Sequence, residues 1–170
     1  EVLVVDNNST DDTRLVVESF IARGHDNLRY IFEPRQGKSH ALNTGLLALR
    51  GWAYVITDDD FILPPDWAKG IVEGFREHPE VSFVSGKVFP RWQVDPPPWL
   101  TSQHWSAVAM ADYGEEPFVT NEGNQICLLA CAFKLAAVQA VGGYHGELGP
   151  QKGRTGATED LDLLIRLWKS

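Results

Sequence analysis

Short apolar runs alternate with stretches of helical spacing through the first half of the chain. Residues 2–5 are continuously apolar, as in a strand buried on both faces of a parallel sheet. The run ends at Asp6-Asn7-Asn8-Ser9-Thr10. Ser9 or Thr10 is expected to cap the next helix. Val16, Val17, Phe20 and Ile21 mark its inward face, and Gly24 its end. A second strand is expected over Leu28–Phe32, stopped by Pro34, then a helix with Ala41, Leu42, Leu46 and Leu49 apolar. The run Ala53-Tyr54-Val55-Ile56 reads as a third strand. Pro64-Pro65 precedes a helix to Glu77, with Trp67, Ile71 and Phe75 as its core stripe. Residues 81–84 read as a further short strand. The order β-α-β-α-β-α-β predicts an α/β class, with a three-layer arrangement about a mostly parallel sheet.

The pattern changes after Val88. Residues 90–123 are rich in Pro, Trp and acids, and an irregular stretch of this length inside a compact domain is functional or disordered. Trp92, Trp99 and Trp105 are expected to pin it to the core, the alternative being stacking on sugar rings. Residues 126–133 read as a strand, followed by a short helix that ends at Gly142-Gly143. Residues 144–157 carry Gly146, Gly149, Gly153 and Gly156 with Lys152 and Arg154, which suits either a lid over an anion or an exposed loop with no role. The last stretch is an amphipathic helix with Leu161, Leu164, Ile165 and Trp168 as its apolar stripe. Dipole complementation suffices for Glu159 and Asp162 in its first turn. Asp160, beside the stripe, reads either the same way or as a base facing the crevice.

At 170 residues the chain is expected to form one domain with a real core. The formal net charge of -8 argues against nucleic acid as the main partner. A phosphate-bearing substrate stays compatible if a metal or local basic residues offset the field. Cys127 and Cys131 support neither a disulfide framework nor a zinc site and read as buried thiols. No signal peptide or membrane-spanning run is visible, so a cytoplasmic location is expected. The chain opens inside a strand-like run and closes inside a helical one, which reads as a fragment cut at both ends.

The candidate chemistry centres on Asp58, Asp59 and Asp60, which follow the third apolar run. In an α/β sheet the ligand crevice lies beyond the carboxyl ends of the strands. Two like charges about 4 Å apart repel by about 4 kcal/mol at an effective dielectric of about 20. Three such acids need a counter-charge, a proton or open water. Mg²⁺ or Mn²⁺ suits their hard oxygens, and Mg²⁺ takes one or two carboxylates with water and phosphate completing its shell. A solvated acidic turn is the alternative. Asp6, at the top of the first strand, is either a turn residue or part of the same crevice. Gly37 and Lys38 fall at a helix N-terminus, where amides and dipole favour anions. The glycine spacing of a P-loop is absent, and Lys38 can also be an ordinary surface lysine.

Taken together, VLVVDNNSTDDT, RQGKSHALNTG, VITDDDFILPPDW, VGGYHGELG and GATEDLDLLIRL resemble, in order and spacing, the family 2 glycosyltransferases. These are inverting enzymes with the GT-A fold, a Rossmann-like nucleotide-diphospho-sugar transferase architecture. The resemblance spans nearly the whole chain and implies a single catalytic domain over residues 1–170. Its 1–89 half would bind nucleotide-sugar, and its 90–170 half would serve acceptor and catalysis. Asp58 and Asp60 look like the outer carboxylates of a D-x-D motif that holds Mg²⁺ or Mn²⁺ and the donor, with Asp59 between them. Asp6 resembles the acid that contacts the base or ribose. Gly37 and Lys38 fall near the nucleotide, and Asp160 matches the general base. Beyond what the resemblance implies, Lys152 or Arg154 would add positive charge to the leaving diphosphate if the loop that carries them closes. The implied partners are a nucleotide-diphosphate-sugar, foremost a UDP-sugar, and a carbohydrate or lipid-linked acceptor, with membrane association in a longer parent. Family members begin with one more apolar strand, and processive ones carry a Gln-x-x-Arg-Trp motif; neither occurs here. His145 stands where an aspartate is common. A nucleotidyltransferase of similar fold and a non-catalytic sugar- or partner-binding module are the competing readings.

Overall fold

A computed structural model describes the chain from Glu1 to Ser170 except Asp59, Ala109, residues 121–129 and 151–157, and the side chain of Ser106. The described elements are β1 (Val2–Asp6), α1 (Thr13–Ala22), β2 (Leu28–Phe32), α2 (Lys38–Ala48), β3 (Ala53–Ile56), α3 (Trp67–Glu77), β4 (Phe83–Val84), a 3₁₀ turn at Ser102–Val108, β5 (Cys131–Lys134), α4 (Leu135–Ala140) and α5 (Glu159–Trp168). The expected βα alternation is therefore present. Two compact units form: Glu1–Tyr54 with Lys134–Ser170, and Val55–Phe133. The boundary falls within β3 and between Phe133 and Lys134 of β5. Among the described residues no helix is long and apolar enough to cross a membrane.

In the first unit, β1 and β2 pair in parallel, from Val2 opposite Leu28 to Asp6 opposite Phe32. The carboxyl ends of both strands therefore lie side by side. Glu33 N continues the ladder by donating to Asp6 O at 2.8 Å. The core of this unit holds Val17, Leu46, Tyr54, Val138, Tyr144, Leu163, Leu164 and Leu167.

Helix α1 departs from its expected face. Val17 is buried, but Val16 and Phe20 are 51% and 41% exposed. A helix with its side chains is about 10 Å wide, and a two-stranded sheet covers only a narrow strip of it. The expected cap also differs. The Ser9 amide donates to Asp6 Oδ1 instead, and Asp11 Oδ1 accepts from the Thr13 amide and hydroxyl where α1 begins.

Helix α5 is rotated from its expected face by one position. Leu163, Leu164, Leu167 and Glu159 are buried, whereas Leu161, Ile165 and Trp168 are 53%, 39% and 54% exposed. Apolar residues at 161, 163, 164, 165, 167 and 168 fit two overlapping stripes, and packing selected the other one. Arg166 fastens this helix to the turn after α4, donating to Val141 O at 2.6 Å and to Gly143 O at 2.7 Å.

In the second unit, β5 lies between β3 and β4. The β4–β5 pair is antiparallel, with Phe83 opposite Phe133 and their rings stacked at 5.8 Å. Ile71 and Phe75 of α3 are buried as expected, with Cys131, Ala132 and Phe133. Of the expected strand over 126–133, residues 126–129 and Cys127 lie outside the described residues. Trp92 and Trp99 are 45% and 66% exposed, so they do not pin the 90–123 segment to the core. Trp99 instead meets the edge of His104 at 5.8 Å.

Gly143 joins α2 to the turn after α4. Its φ is +72°, and an added Cβ would lie 2.7 Å from Asn43 Oδ1. That oxygen accepts from Tyr144 N at 2.8 Å, while Asn43 Nδ2 donates to Tyr144 O at 2.7 Å. Gly143→Ala is expected to destabilise the chain by about 2–3 kcal/mol, combining left-handed backbone strain with loss of one such bond. Urea unfolding measures it, and a change below about 0.5 kcal/mol would contradict this account.

Candidate functional site

The carboxyl ends of β1 and β2 are tied into one platform. Asp6 ends β1 and is buried. Its Oδ2 accepts from the Tyr30 hydroxyl at 2.6 Å and its Oδ1 from Ser9 N at 2.8 Å. The Tyr30 hydroxyl, then Ser9, hold its carboxyl below the usual aspartate range. Asp6 thus faces inward and shapes the 6–9 turn, rather than standing free as a turn acid.

Asn7, the next residue, bridges to the α2 loop. Its Oδ1 accepts from Gly37 N at 2.6 Å, and its Nδ2 donates to Arg35 O at 2.6 Å. Glu33, just past β2, is also buried. It accepts from Arg35 Nε at 2.8 Å, Arg35 Nη2 at 2.9 Å, Arg35 N at 2.8 Å and the Thr44 hydroxyl. Arg35, then Thr44, hold its carboxyl far below the glutamate range. Asn7 and Glu33 together fix the loop that ends at Gly37. Gly37 occupies the N-cap position of α2 with φ +137°, a conformation that glycine adopts without strain.

Lys38 opens α2 and reaches the first turn of α5. Its Nζ lies 2.9 Å from Glu159 Oε1 and 3.2 Å from Asp160 Oδ2. Burial works against the ammonium, yet Glu159 and Asp160 outweigh it and raise its pKa above the ordinary lysine value. Lys38 is therefore an ion-pair partner, not a solvated surface residue. The side chains of Lys38, Asp160 and Glu159 are 41%, 32% and 3% exposed. Asp160 is thus accessible but restrained.

Glu159 was expected only to complement the helix dipole, a contribution of about 0.3–1 kcal/mol. Burying a carboxylate costs several kcal/mol, so the dipole alone does not account for its position. Its Oε2 has no hydrogen-bond partner among the described residues, and neither does the buried Ser39 Oγ. A second pair closes the same helix: Asp162 Oδ2 lies 3.0 Å from His145 Nδ1 and 2.7 Å from Arg166 Nη2. His145, where an aspartate is common, thus meets a carboxylate on α5.

Asp58 and Asp60 belong to the second unit, in the turn that follows β3. The turn is closed by Phe61 N donating to Asp58 O at 3.4 Å. Both residues are exposed, and neither side chain has an ion-pair or hydrogen-bond partner among the described residues. Two open, oxygen-only carboxylates fit a hard divalent cation that keeps water and phosphate in its remaining positions. Among the described residues no group of three or more His, Cys, Asp or Glu side chains gathers. Asp59, Lys152 and Arg154 lie outside the described residues.

Asn7, Tyr30, Glu33 and Glu159 are site residues that motif reading passed over. Glu159 had a signal: it stands at i, i+4 and i+8 with Leu163 and Leu167. Asn7 and Tyr30 had none, because their partners return from elsewhere in the chain, and Glu33 had only the basic residue two positions on, Arg35.

The lowered Glu33 pKa has a stability consequence. A depressed carboxylate contributes stability that is full above its unfolded pKa, near 4.5, and is lost as pH falls toward its folded value. Glu33→Gln is expected to melt below the unaltered chain at about pH 7 and to lose less than it does on going to about pH 3. Thermal melts check this; parallel pH dependence in the two would refute it.

The Glycosyl transferase family 2 profile matches residues 1–133. The glucosyl-dolichyl phosphate glucuronosyltransferase of Haloferax volcanii is 24% identical over 99% of this chain and 53% of its own length. A mannosyltransferase from Pyrobaculum calidifontis, solved with GDP-Man and Mn²⁺, has TM-score 0.58 and 29% identity over 87% of this chain and 39% of its own. TarS residues 1-349 of S. aureus, solved with UDP, has TM-score 0.70 at 19% identity, covering 99% and 45%, and bears on the fold alone. The chain spans about half the length, or less, of these relatives. The fold is the expected GT-A fold. By the extent of the profile match and by these relatives, the chain belongs to glycosyltransferase family 2.

Proposed function

We propose that the chain carries the donor-binding and catalytic part of a metal-dependent, inverting glycosyltransferase. It would move a sugar from a nucleotide-diphosphate-sugar, foremost a UDP-sugar, to a hydroxyl of a carbohydrate or lipid-linked acceptor. The observation that carries this reading is Asp160: a carboxylate one-third exposed, held at the opening turn of α5 by Lys38. A base needs both properties, since a hydroxyl must reach it and it must not wander.

In the proposed reaction the acceptor oxygen attacks the anomeric carbon from the face opposite the diphosphate. Asp160 takes the proton of that hydroxyl. The carbon–oxygen bond to the diphosphate breaks and its electron pair leaves with the diphosphate, so one displacement inverts the centre. No residue forms a covalent intermediate. Asp58 and Asp60 would hold Mg²⁺ or Mn²⁺, which when bound stabilises charge on the phosphate oxygens as a Lewis acid. Gly37 and Lys38 would line the donor side, with Asp59 assisting and Lys152 and Arg154 adding positive charge near the diphosphate. Asp6 would act through the 6–9 turn that it holds, shaping the pocket for base or ribose. Residues 1–89 would serve mainly the donor and 90–170 the acceptor and base.

Two relatives support these assignments by what they are named for. GDP-Man and Mn²⁺ accompany the Pyrobaculum mannosyltransferase. The Haloferax enzyme is named for a dolichyl phosphate-linked sugar, in keeping with a lipid-linked acceptor here. A cytoplasmic location suits a nucleotide-sugar donor. Membrane association of the whole protein would follow from a lipid-linked acceptor.

Asp160→Asn is expected to lower kcat by about 10²–10⁴, because a carboxamide cannot take the proton, while leaving donor binding largely intact. A transfer assay with UDP- and GDP-sugars reads this, and near-unchanged turnover would remove Asp160 from the role. Asp60→Ala is expected to weaken Mn²⁺-dependent binding of UDP or GDP by about tenfold or more, since even an outer partner of a metal ligand is worth that much. Calorimetry with and without Mn²⁺ checks it; equal affinities would take Asp60 out of the metal site.

A further inference from the structure

Glu159 is a buried acid that the proposed reaction does not use. It stands one residue before the candidate base, its side chain is 3% exposed, and Oε1 meets Lys38 Nζ at 2.9 Å. The backbone at Lys38 is fixed independently: its amide donates to Pro150 O at 3.3 Å, and the preceding amide of Gly37 is held by Asn7 at 2.6 Å. Only the four-carbon stem and its ammonium are left to move. Among the described residues that ammonium has one deeply buried partner, Glu159, and one accessible partner, Asp160.

We propose that Glu159 is a positioning residue that keeps Lys38 tethered while Lys38 exchanges Asp160 for a phosphate oxygen of the arriving donor. The inference rests on the donor reading given above. An ammonium has three N–H donors, so it can keep Glu159 and still turn one donor from the carboxylate of Asp160 toward a phosphate. No proton leaves Lys38 in this exchange. Asp160 loses an ion-pair partner that lowers its affinity for a proton. Arrival of the donor would thereby make Asp160 a stronger base at the moment an acceptor hydroxyl needs one.

Without Glu159, a lysine freed from its buried anchor would rest on Asp160 alone. It would then have to give up its one fixed contact to meet the donor. The buried position of Glu159 matters to this argument. An exposed carboxylate would be screened and mobile, and would hold a lysine tip loosely. Among the described residues the Oε2 atom has no hydrogen-bond partner, and Lys38 is the ion-pair partner of this carboxylate.

The test is a double-mutant cycle in the full chain, with UDP and GDP as probes in the presence of Mn²⁺. Glu159→Gln and Lys38→Gln are each expected to weaken nucleotide affinity by about tenfold. The double variant is expected to lose no more than Lys38→Gln alone, because the two residues act as one unit. In transfer assays Glu159→Gln should raise the donor KM while leaving the acceptor KM unchanged. Independent, additive losses would mean that Glu159 acts through general stability, and would overturn the proposal. So would unchanged affinity in Glu159→Gln. If Glu159→Gln melts too low to assay, Glu159→Gln with Lys38→Met removes both charges of the pair. That variant should recover the melting temperature without recovering affinity; recovery of both overturns the proposal. Failure of the unaltered chain to bind either nucleotide sinks the donor reading itself, and is told apart from these outcomes by the first measurement.

Discussion

A carboxylate taken out of water needs donors or a counter-charge to offset a cost of several kcal/mol, and the first unit meets this demand in different ways at Asp6, Glu33 and Glu159. Asp6 is met by a tyrosine hydroxyl and a backbone amide. Glu33 is met by a forked guanidinium, an amide and a threonine hydroxyl. Glu159 is met by a lysine ammonium on one oxygen. Each solution reaches across a turn or from one element to another. The demand for compensation is therefore also what fixes the β1 turn, the loop before α2 and the first turn of α5.

This explains why the start of α2 is well held although its helix lacks a side-chain cap. The Gly37 amide, which would otherwise be an unsatisfied donor of the first turn, goes to Asn7. The residue that supplies the acceptor sits just past β1, whose parallel pairing with β2 brings both strand ends to one side. Strand register, a buried glutamate and a helix N-terminus are thus one connected device. A residue at the tip of that device, Lys38, inherits a fixed backbone and a side chain whose ammonium is held by Glu159 and Asp160.

Much of the frame was legible in the sequence because apolar runs and their spacing are local. The positions of β1, β2, β3 and α3 follow from runs of four or five residues and from the stripe of Ile71 and Phe75. The phase of α5 did not follow, because leucines and isoleucine occupy two adjacent faces and only packing against α4 and the turn after it chooses between them. The face of α1 was misjudged for a related reason: apolarity at Val16 and Phe20 says nothing about how wide the covering sheet is. The candidate acids were visible as residues, yet their environments were not. That Tyr30 gives its hydroxyl to Asp6, or that Lys38 finds a carboxylate 122 positions away, depends on where the chain returns.

Exposure then orders the acids by the work each can do. Asp6 and Glu33 are buried and hydrogen-bonded on both oxygens, which suits support of the turn and the loop they hold. Asp58 and Asp60 are open and unengaged among the described residues, which suits binding a cation that arrives with its own water and phosphate. Asp160 lies between these extremes, reachable yet tied. A general base belongs in that middle state, because a sealed carboxylate cannot meet a hydroxyl and an untethered one loses the orientation on which proton transfer depends. In the proposed reaction the adjacent pair Glu159-Asp160 would supply both halves of the requirement from a single helical turn. Successive residues point about 100° apart on a helix, so Glu159 faces the core and holds the lysine while Asp160 stays one-third exposed.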